Sequence, residues 1–327
     1  MNPNVWARRG AAAFLMVQWA CVEGDPYGAP RGASYVAEPL TVTTASGLSL
    51  TGTLTLPMGS DVALPAAVTI TGSGPQDRDE HMRRVGDYRP FRQIADTLGA
   101  RGIAVLRLDD RGVNGSDPGP PGATSADLAE DVRAAVAYLR SRQEIDASRI
   151  ALIGHSEGGV IAPMVAAQDS AIAAVVLLAG PAYTFERVRE TALEALIARS
   201  PTLSETEASD MRQRAAQAWG QQAREDPWYR AALVYDPLPA IREVRAAVLL
   251  LQGDTDTQIT PEQADTLAAA LREAGNEDVT VARFPVTNHL FLEDGDGRAF
   301  RYDRLPSHEV RKDVLGTLAD WLADRLR

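Results

Sequence analysis

An apolar run, Ile150-Ala151-Leu152-Ile153, stops at Gly154-His155-Ser156-Glu157-Gly158 and gives way to the helix-compatible residues 160–167. A serine between two glycines, directly after a buried strand, fits a turn too tight for side chains on its flanks, and its Oγ is then held above the sheet edge. Gly-x-Ser-x-Gly alone is a weak signal in a chain with 26 Gly. The strand before it, the helix after it and suitable partners later in the chain are what give it weight.

The surrounding pattern fits that turn. Runs at 65–70, 103–108, 150–153, 174–178 and 246–251 read as strands, and 279–284 reads as the last one. Helical faces separate them, carried by Phe91, Ile94, Ala95 and Leu98 and by Leu128, Val132, Val136 and Leu139, with Thr124 or Ser125 as the cap of the second. Strands that are apolar throughout and alternate with helices imply a mostly parallel, doubly wound α/β sheet covered on both faces. Two β-rich runs, 36–44 and 48–56, alternate Leu with Ser and Thr and read as an antiparallel hairpin at the sheet edge.

Between residues 183 and 235 the alternation stops and helix-rich sequence takes over, with a capping box at Ser204-Glu205-Thr206-Glu207. This stretch reads as a helical cap inserted into a core made of residues 34–182 and 236–327. Its Leu193, Leu196, Ile197, Met211 and Trp219 either roof a pocket or pack the cap on itself and on the core. The core resumes with a strand and then Thr260-Pro261-Glu262-Gln263, read as a helix start with a capping box and Pro at the first position. A last helix places Val310, Val314, Leu318, Trp321 and Leu322 on one side.

Charge limits the partners. A net charge of −11 and a pI near 4.9 set the long-range field against phosphate backbones and anionic lipid, so nucleic acid is not an expected partner. The single cysteine, Cys21, excludes an intrachain disulfide framework and a Cys-based zinc cluster. Arg8 and Arg9 precede an apolar segment at 10–20, too short to span a bilayer but suited to a secretory signal, so residues 1–21 read as an export leader and 22–33 as a flexible tether. The protein is therefore expected outside the cytoplasm, with lipidation of Cys21 as a lesser alternative because Gln18 and Trp19 fit a lipoprotein cleavage site badly. An unprocessed leader on a cytoplasmic enzyme is the other reading. No further stretch is long and apolar enough to insert stably in a membrane.

A serine hydroxyl needs an imidazole to take its proton. Of four histidines, His155 adjoins the serine within the turn, His81 lies in a charged loop too early in the chain, and His308 looks like a helix start. His289 follows the last strand, where the order Ser, acid, His requires the base. The carboxylate that orients it is Asp256 or Asp254, both just past the preceding strand; Asp256 is favoured because Asp254 more plausibly shapes the turn after Gly253. Oxyanion donors are expected from the backbone N–H of Glu157 and from the Gly72-Ser73-Gly74 loop, Ser73 first and Gly74 next. A phosphate-cradling role for that loop is discounted because it lacks the Gly-Lys-Ser/Thr ending.

Together, Gly-His-Ser-Glu-Gly at 154–158, Gly-Ser-Gly-Pro-Gln-Asp-Arg-Asp at 72–79, Asp109-Asp110-Arg111-Gly112 with Gly115-Ser116, the 253–258 loop and Asn288-His289-Leu290-Phe291 resemble the α/β-hydrolase superfamily. Within it the chain looks most like bacterial carboxylesterases of the esterase D type, related to the serine aminopeptidase and monoacylglycerol-lipase branch. The resemblance runs from about residue 36 to the C-terminus and fades in the cap. It implies a triad of Ser156, Asp256 and His289, oxyanion donors at Ser73 and Glu157, a small-molecule ester substrate and no cofactor. The expected reaction is ester cleavage through an acyl-enzyme. A peptide, thioester or lactone on the same machinery is the first alternative, and a non-catalytic binding protein on this scaffold the second.

Other charged strings have plainer readings. Asp77, Arg78 and Asp79 are expected to form charge pairs that fix the oxyanion loop, and Asp110 and Arg111 to brace a turn. Asp294-Gly295-Asp296-Gly297 hints at a calcium loop, but Arg298 takes the next ligand position and no closing Glu follows, so a mobile loop is expected.

Overall fold

A computed structural model describes residues 26–200 and 202–327. The leader expected over residues 1–21, with Cys21, lies outside the described residues. The tether expected over 22–33 is described from residue 26 on, where Tyr27 lies under the Arg78 guanidinium, 4.3 Å from ring centroid to Cζ, and Arg92 donates to the carbonyls of Pro26 and Gly28.

In chain order the elements are β1 (Tyr35–Thr43), β2 (Ser49–Pro57), β3 (Leu64–Ile70), α1 (Pro90–Gly99), β4 (Ala104–Leu108), α2 (Ser125–Ser141), β5 (Ile145–His155), α3 (Gly158–Ala166) and β6 (Ile172–Leu178). Helices α4 (Phe185–Ala198), α5 (Glu205–Glu225), α6 (Pro227–Val234) and α7 (Leu238–Glu243) follow. The core then resumes with β7 (Ala247–Gly253), α8 (Glu262–Glu273), β8 (Val279–Phe284) and α9 (Lys312–Arg325).

The strands form one sheet in the order β1-β2-β4-β3-β5-β6-β7-β8. From β4 to β8 every pairing is parallel, and β1 and β2 add the antiparallel edge, with Tyr35 opposite Pro57 and Thr43 opposite Ser49. Apolar strands result because both faces are covered. Val68, Leu106, Leu152, Val175 and Leu250 pack with Val132, Leu139, Ile161 and Leu271 of α2, α3 and α8. Their neighbours Val105, Ile153, Val176 and Leu249 point the other way, into Ile94, Leu98, Leu318 and Leu322 of α1 and α9. Each such side chain, fully buried, stabilises by about 1.5–3 kcal/mol.

Strand order reverses between β3 and β5, since the chain leaves β3 for β4 on one side and returns to β5 on the other. In open α/β sheets the crevice beyond the strand ends at such a point is where ligands bind. The loops after β3 and β5, residues 71–80 and Ser156, flank it.

Two expectations shift in detail. Helix α8 begins at Glu262, not at Pro261, which sits at the N-cap with φ −58° and ψ −28°. The Thr260 hydroxyl there donates to the Glu262 carboxylate instead of accepting a helical N–H, because a turn from Gln263 N–H to Thr260 O, 3.0 Å, occupies that position. Val310 is buried as expected but precedes α9. Among the described residues no helix is long and apolar enough to cross a membrane.

Candidate active site

Ser156 sits at the turn between β5 and α3 with φ +53°, a conformation that L residues rarely adopt and that the surroundings must enforce. Its N–H donates to Leu178 O on the neighbouring strand, 2.9 Å. The turn closes only because its flanks lack side chains. A Cβ on Gly154 would stand 2.1 Å from Gly158 O, and one on Gly158 would stand 2.1 Å from Ile70 O.

The structure brings His289 to this serine, with Nε2 3.1 Å from Ser156 Oγ and Nδ1 2.8 Å from Asp256 Oδ2. Asp256 is buried, and its orientation is fixed by its own loop: Oδ1 accepts from the N–H groups of Gln258 at 2.8 Å and Ile259 at 3.0 Å. Oδ2 also receives Gln252 Nε2 at 3.2 Å. Asp254, the other candidate, is instead paired with Arg283 at the surface. His81 and His308 lie elsewhere, the first against Asp87 and the second donating from Nε2 to Tyr302 O at 3.1 Å.

Sequence reasoning passed over two residues that hold the base loop. Asn288, fully buried, accepts the Leu290 and Leu292 N–H groups at its Oδ1, 2.9 and 3.1 Å, and donates to Asp294 Oδ2 at 3.2 Å. Residues 294–297, expected as a mobile loop, thereby brace the loop of Asp256 against the loop of His289. Thr255 Oγ1 donates to Asp294 O and Thr257 Oγ1 to Gly297 O, at 2.5 and 2.6 Å. The physical reason is that Asp294 spends its carboxylate on Asn288 and on the Asp296 N–H and has none left to display. Among the described residues no group of three or more His, Cys, Asp or Glu is placed to hold a metal ion.

Glu80 is the second. Buried, with φ +55°, it accepts at Oε1 from the Gly72 N–H at 2.9 Å and meets His155 Nδ1 at 2.8 Å. His155 Nε2 lies 3.1 Å from His289 O, so both ring nitrogens are engaged and His155 is not free to serve Ser156. Burial alone would push this imidazole down, but Glu80 beside it and the His289 carbonyl outweigh burial and hold its pKa above the ordinary value. One buried pair thus joins the Gly72 loop to the backbone of His289.

Ser73 and Glu157 line the same cleft as Ser156, and neither N–H donates to another group among the described residues. The loop carrying Ser73 is fixed from behind. Arg78 is paired with Asp109, and Asp79, fully buried, with Arg107 and Arg89. Arg111 is paired with Asp131. Asp110 accepts from Thr71 Oγ1 at 2.9 Å and from the Gln76 N–H at 2.9 Å, and burial, opposed by those bonds, pushes its pKa up to about 7. Because the folded pKa lies above the unfolded one, near 4, this group stabilises most below about pH 4 and its contribution is lost as pH rises through about 7. Urea unfolding of Asp110→Asn is therefore expected to show a flatter loss of stability between about pH 4 and 7 than the parent. An unchanged slope would assign that pH dependence to other groups.

The cleft over Ser156 measures about 500 Å³ and is roofed by Tyr183, Phe185, Val188, Trp228 and Tyr235. None of Leu193, Leu196, Ile197, Met211 or Trp219 lines it. The roof comes from the start of α4 and from α6 with the turn after it, where Phe185 meets Trp228 and Tyr229 edge-on at 5.9 and 5.6 Å. Met211 and Trp219 belong to α5, which packs against α6 instead.

Comparison with known proteins agrees with this architecture. Residues 90–305 match the prolyl oligopeptidase family. Esterase EstD of Thermotoga maritima is 29% identical over 282 residues, which cover 84% of this chain and 65% of the esterase, so the chain spans just under two thirds of that relative's length. Among solved structures, an esterase of Pyrococcus furiosus superposes with a TM-score of 0.61 at 16% identity, covering 91% of this chain and 94% of that one. An alpha/beta hydrolase of Penicillium gives 0.59 at 19% identity, covering 89% and 99%. The fold is the α/β-hydrolase fold.

Proposed function

The chain belongs to the prolyl oligopeptidase family, and from that premise we propose that it is a serine hydrolase cleaving carboxylic esters through an acyl-enzyme. The reading rests chiefly on the contact of His289 Nε2 with Ser156 Oγ at 3.1 Å, between residues 133 apart in sequence. Such a contact, with Asp256 on the far nitrogen, is what an alcohol needs to become a nucleophile near neutral pH.

In this mechanism Ser156 Oγ attacks the ester carbonyl carbon while its proton passes to His289 Nε2. Asp256 stabilises the imidazolium through Nδ1. Negative charge collects on the carbonyl oxygen, and the amides of Glu157 and Ser73 receive it, a role supported by their lining the cleft with no partner among the described residues. His289 returns the proton to the leaving alcohol; water, activated by the same imidazole, then releases the acid.

A fluorophosphonate probe is expected to label the protein at Ser156 and to leave Ser156→Ala unlabelled, as read by mass spectrometry of the tryptic peptide. Labelling elsewhere, or none, would remove the serine hydrolase reading. The family match also favours a second reading, cleavage of a peptide-type amide by the same groups. Rates on p-nitrophenyl esters, aminoacyl amides and acyl-CoA decide between ester, amide and thioester.

A further inference from the structure

The side chain of Glu157 is not used by the mechanism above, yet it stands one residue from the nucleophile. It is 8% exposed. Oε1 accepts from Ser125 Oγ at 2.6 Å and from the Trp228 indole N–H at 2.7 Å, which ties the carboxylate to α2 and to the cap. Oε2 has no donor among the described residues. Glu157 and Trp228 line both the cleft over Ser156 and a second, more open recess of about 910 Å³ beside it, so the carboxylate stands where the two meet.

Among the described residues that line the two recesses, the charged groups without an ion-pair partner are acidic. In the cleft over Ser156, Glu157 is the only charged lining residue among those described, and the rest of the roof is aromatic or aliphatic. In the second recess Asp226 joins it, beside the Asp110 carboxyl, whose pKa burial pushes up to about 7, and the cation there, Arg111, is held by Asp131 through Nε at 2.7 Å and Nη2 at 2.9 Å. A fixed carboxylate next to amides that must stabilise an oxyanion opposes the charge developing in the transition state. For a neutral ester it is a handicap. A substrate that brings its own positive charge to Oε2 removes the opposition and fills the open acceptor.

We infer that the substrate is an ester bearing a protonated amine a short distance from the scissile carbonyl, and that Glu157 Oε2 is the residue atom that selects it. This rests on the serine hydrolase reading, and the experiment separates the two. Two isosteric pairs exchange a cation for a neutral group: alanine ethyl ester against ethyl isobutyrate places it in the acyl part, and 2-(dimethylamino)ethyl butyrate against 3-methylbutyl butyrate in the alcohol part. Below neutral pH, where both amines are protonated, kcat/KM is expected to favour the cationic member of at least one pair by about tenfold or more, the range of a charge-assisted hydrogen bond. In Glu157→Gln that ratio is expected to fall toward one, whatever happens to the absolute rates. Preference for the neutral member in both pairs, or a ratio unchanged in the Gln variant, would overturn the proposal.

A binding measurement does not depend on turnover. In Ser156→Ala, 3-methylbutylammonium is expected to raise Tm saturably and 3-methylbutanol not to. Equal shifts, or none from the ammonium, would overturn the cation site even if the protein hydrolyses esters. A saturable ammonium shift without fluorophosphonate labelling of the parent would keep the site and dismiss the hydrolase reading.

Discussion

Replacing Asp256 by Asn is expected to lower kcat on an activated ester by about four orders of magnitude, while Asp254→Asn leaves it within about threefold. The difference follows from what surrounds each carboxylate. Oδ1 of Asp256 faces two N–H donors, those of Gln258 and Ile259. In the amide, the oxygen must stay toward those donors, so the new NH2 faces His289 Nδ1. An imidazole that accepts at Nδ1 carries its proton on Nε2, and Nε2 can then no longer take the proton of Ser156. Among the described residues the Asp254 carboxylate meets only Arg283, with a side chain 37% exposed, and surface pairs of this kind contribute about 0–1 kcal/mol. Steady-state kinetics of the two variants make the comparison. A severe loss in Asp254→Asn with a mild one in Asp256→Asn would reverse the roles.

The largest effect on stability is expected at Glu80. Its side chain is 1% exposed and that of His155 is 7% exposed. Removing one partner of a buried pair leaves the other charge uncompensated, which costs about 3–5 kcal/mol. Glu80→Ala also strips the acceptor from the Gly72 N–H. Urea unfolding should show a loss in that range. The sign of the pH dependence follows from His155, whose folded pKa is raised: the pair contributes fully below about pH 6.5 and less as pH rises through the raised value. The gap between parent and Glu80→Ala is therefore expected to narrow on the alkaline side. A loss below about 1 kcal/mol at every pH would mean that the pair is not ionised.

Glu80 also shows where reading the chain stops. In sequence it ends a charged string, Asp77-Arg78-Asp79-Glu80, whose first three members were expected to form charge pairs; Arg78 and Asp79 do, while Asp77 accepts the backbone N–H groups of Asp79 and His81 instead. Nothing local marks the fourth as buried, because its partner lies 75 residues away across the switch in strand order. The roof of the cleft is a similar case. Helical periodicity shows that α4 and α5 have apolar faces but not what those faces meet, so Leu193 and Trp219 were named as candidates for the roof and Phe185 and Trp228 were not. Contact with Ser156's cleft falls to the latter pair, at the start of α4 and in α6.

By itself the sequence determined whatever depends on neighbours along the chain. Apolar runs at β3, β5, β6 and β7, a cap at Thr124 or Ser125, and the glycines that admit a strained Ser156 follow from backbone sterics and the burial of short segments. Chain order narrowed the acid to Asp254 or Asp256. Only the tertiary structure decided which carboxylate meets His289, that His155 is locked between Glu80 and His289, and that Glu157 faces a cleft with one oxygen unspent. Those outcomes depend on directions in space between loops far apart in sequence, and a side chain's direction is fixed by packing against elements that the local pattern does not identify.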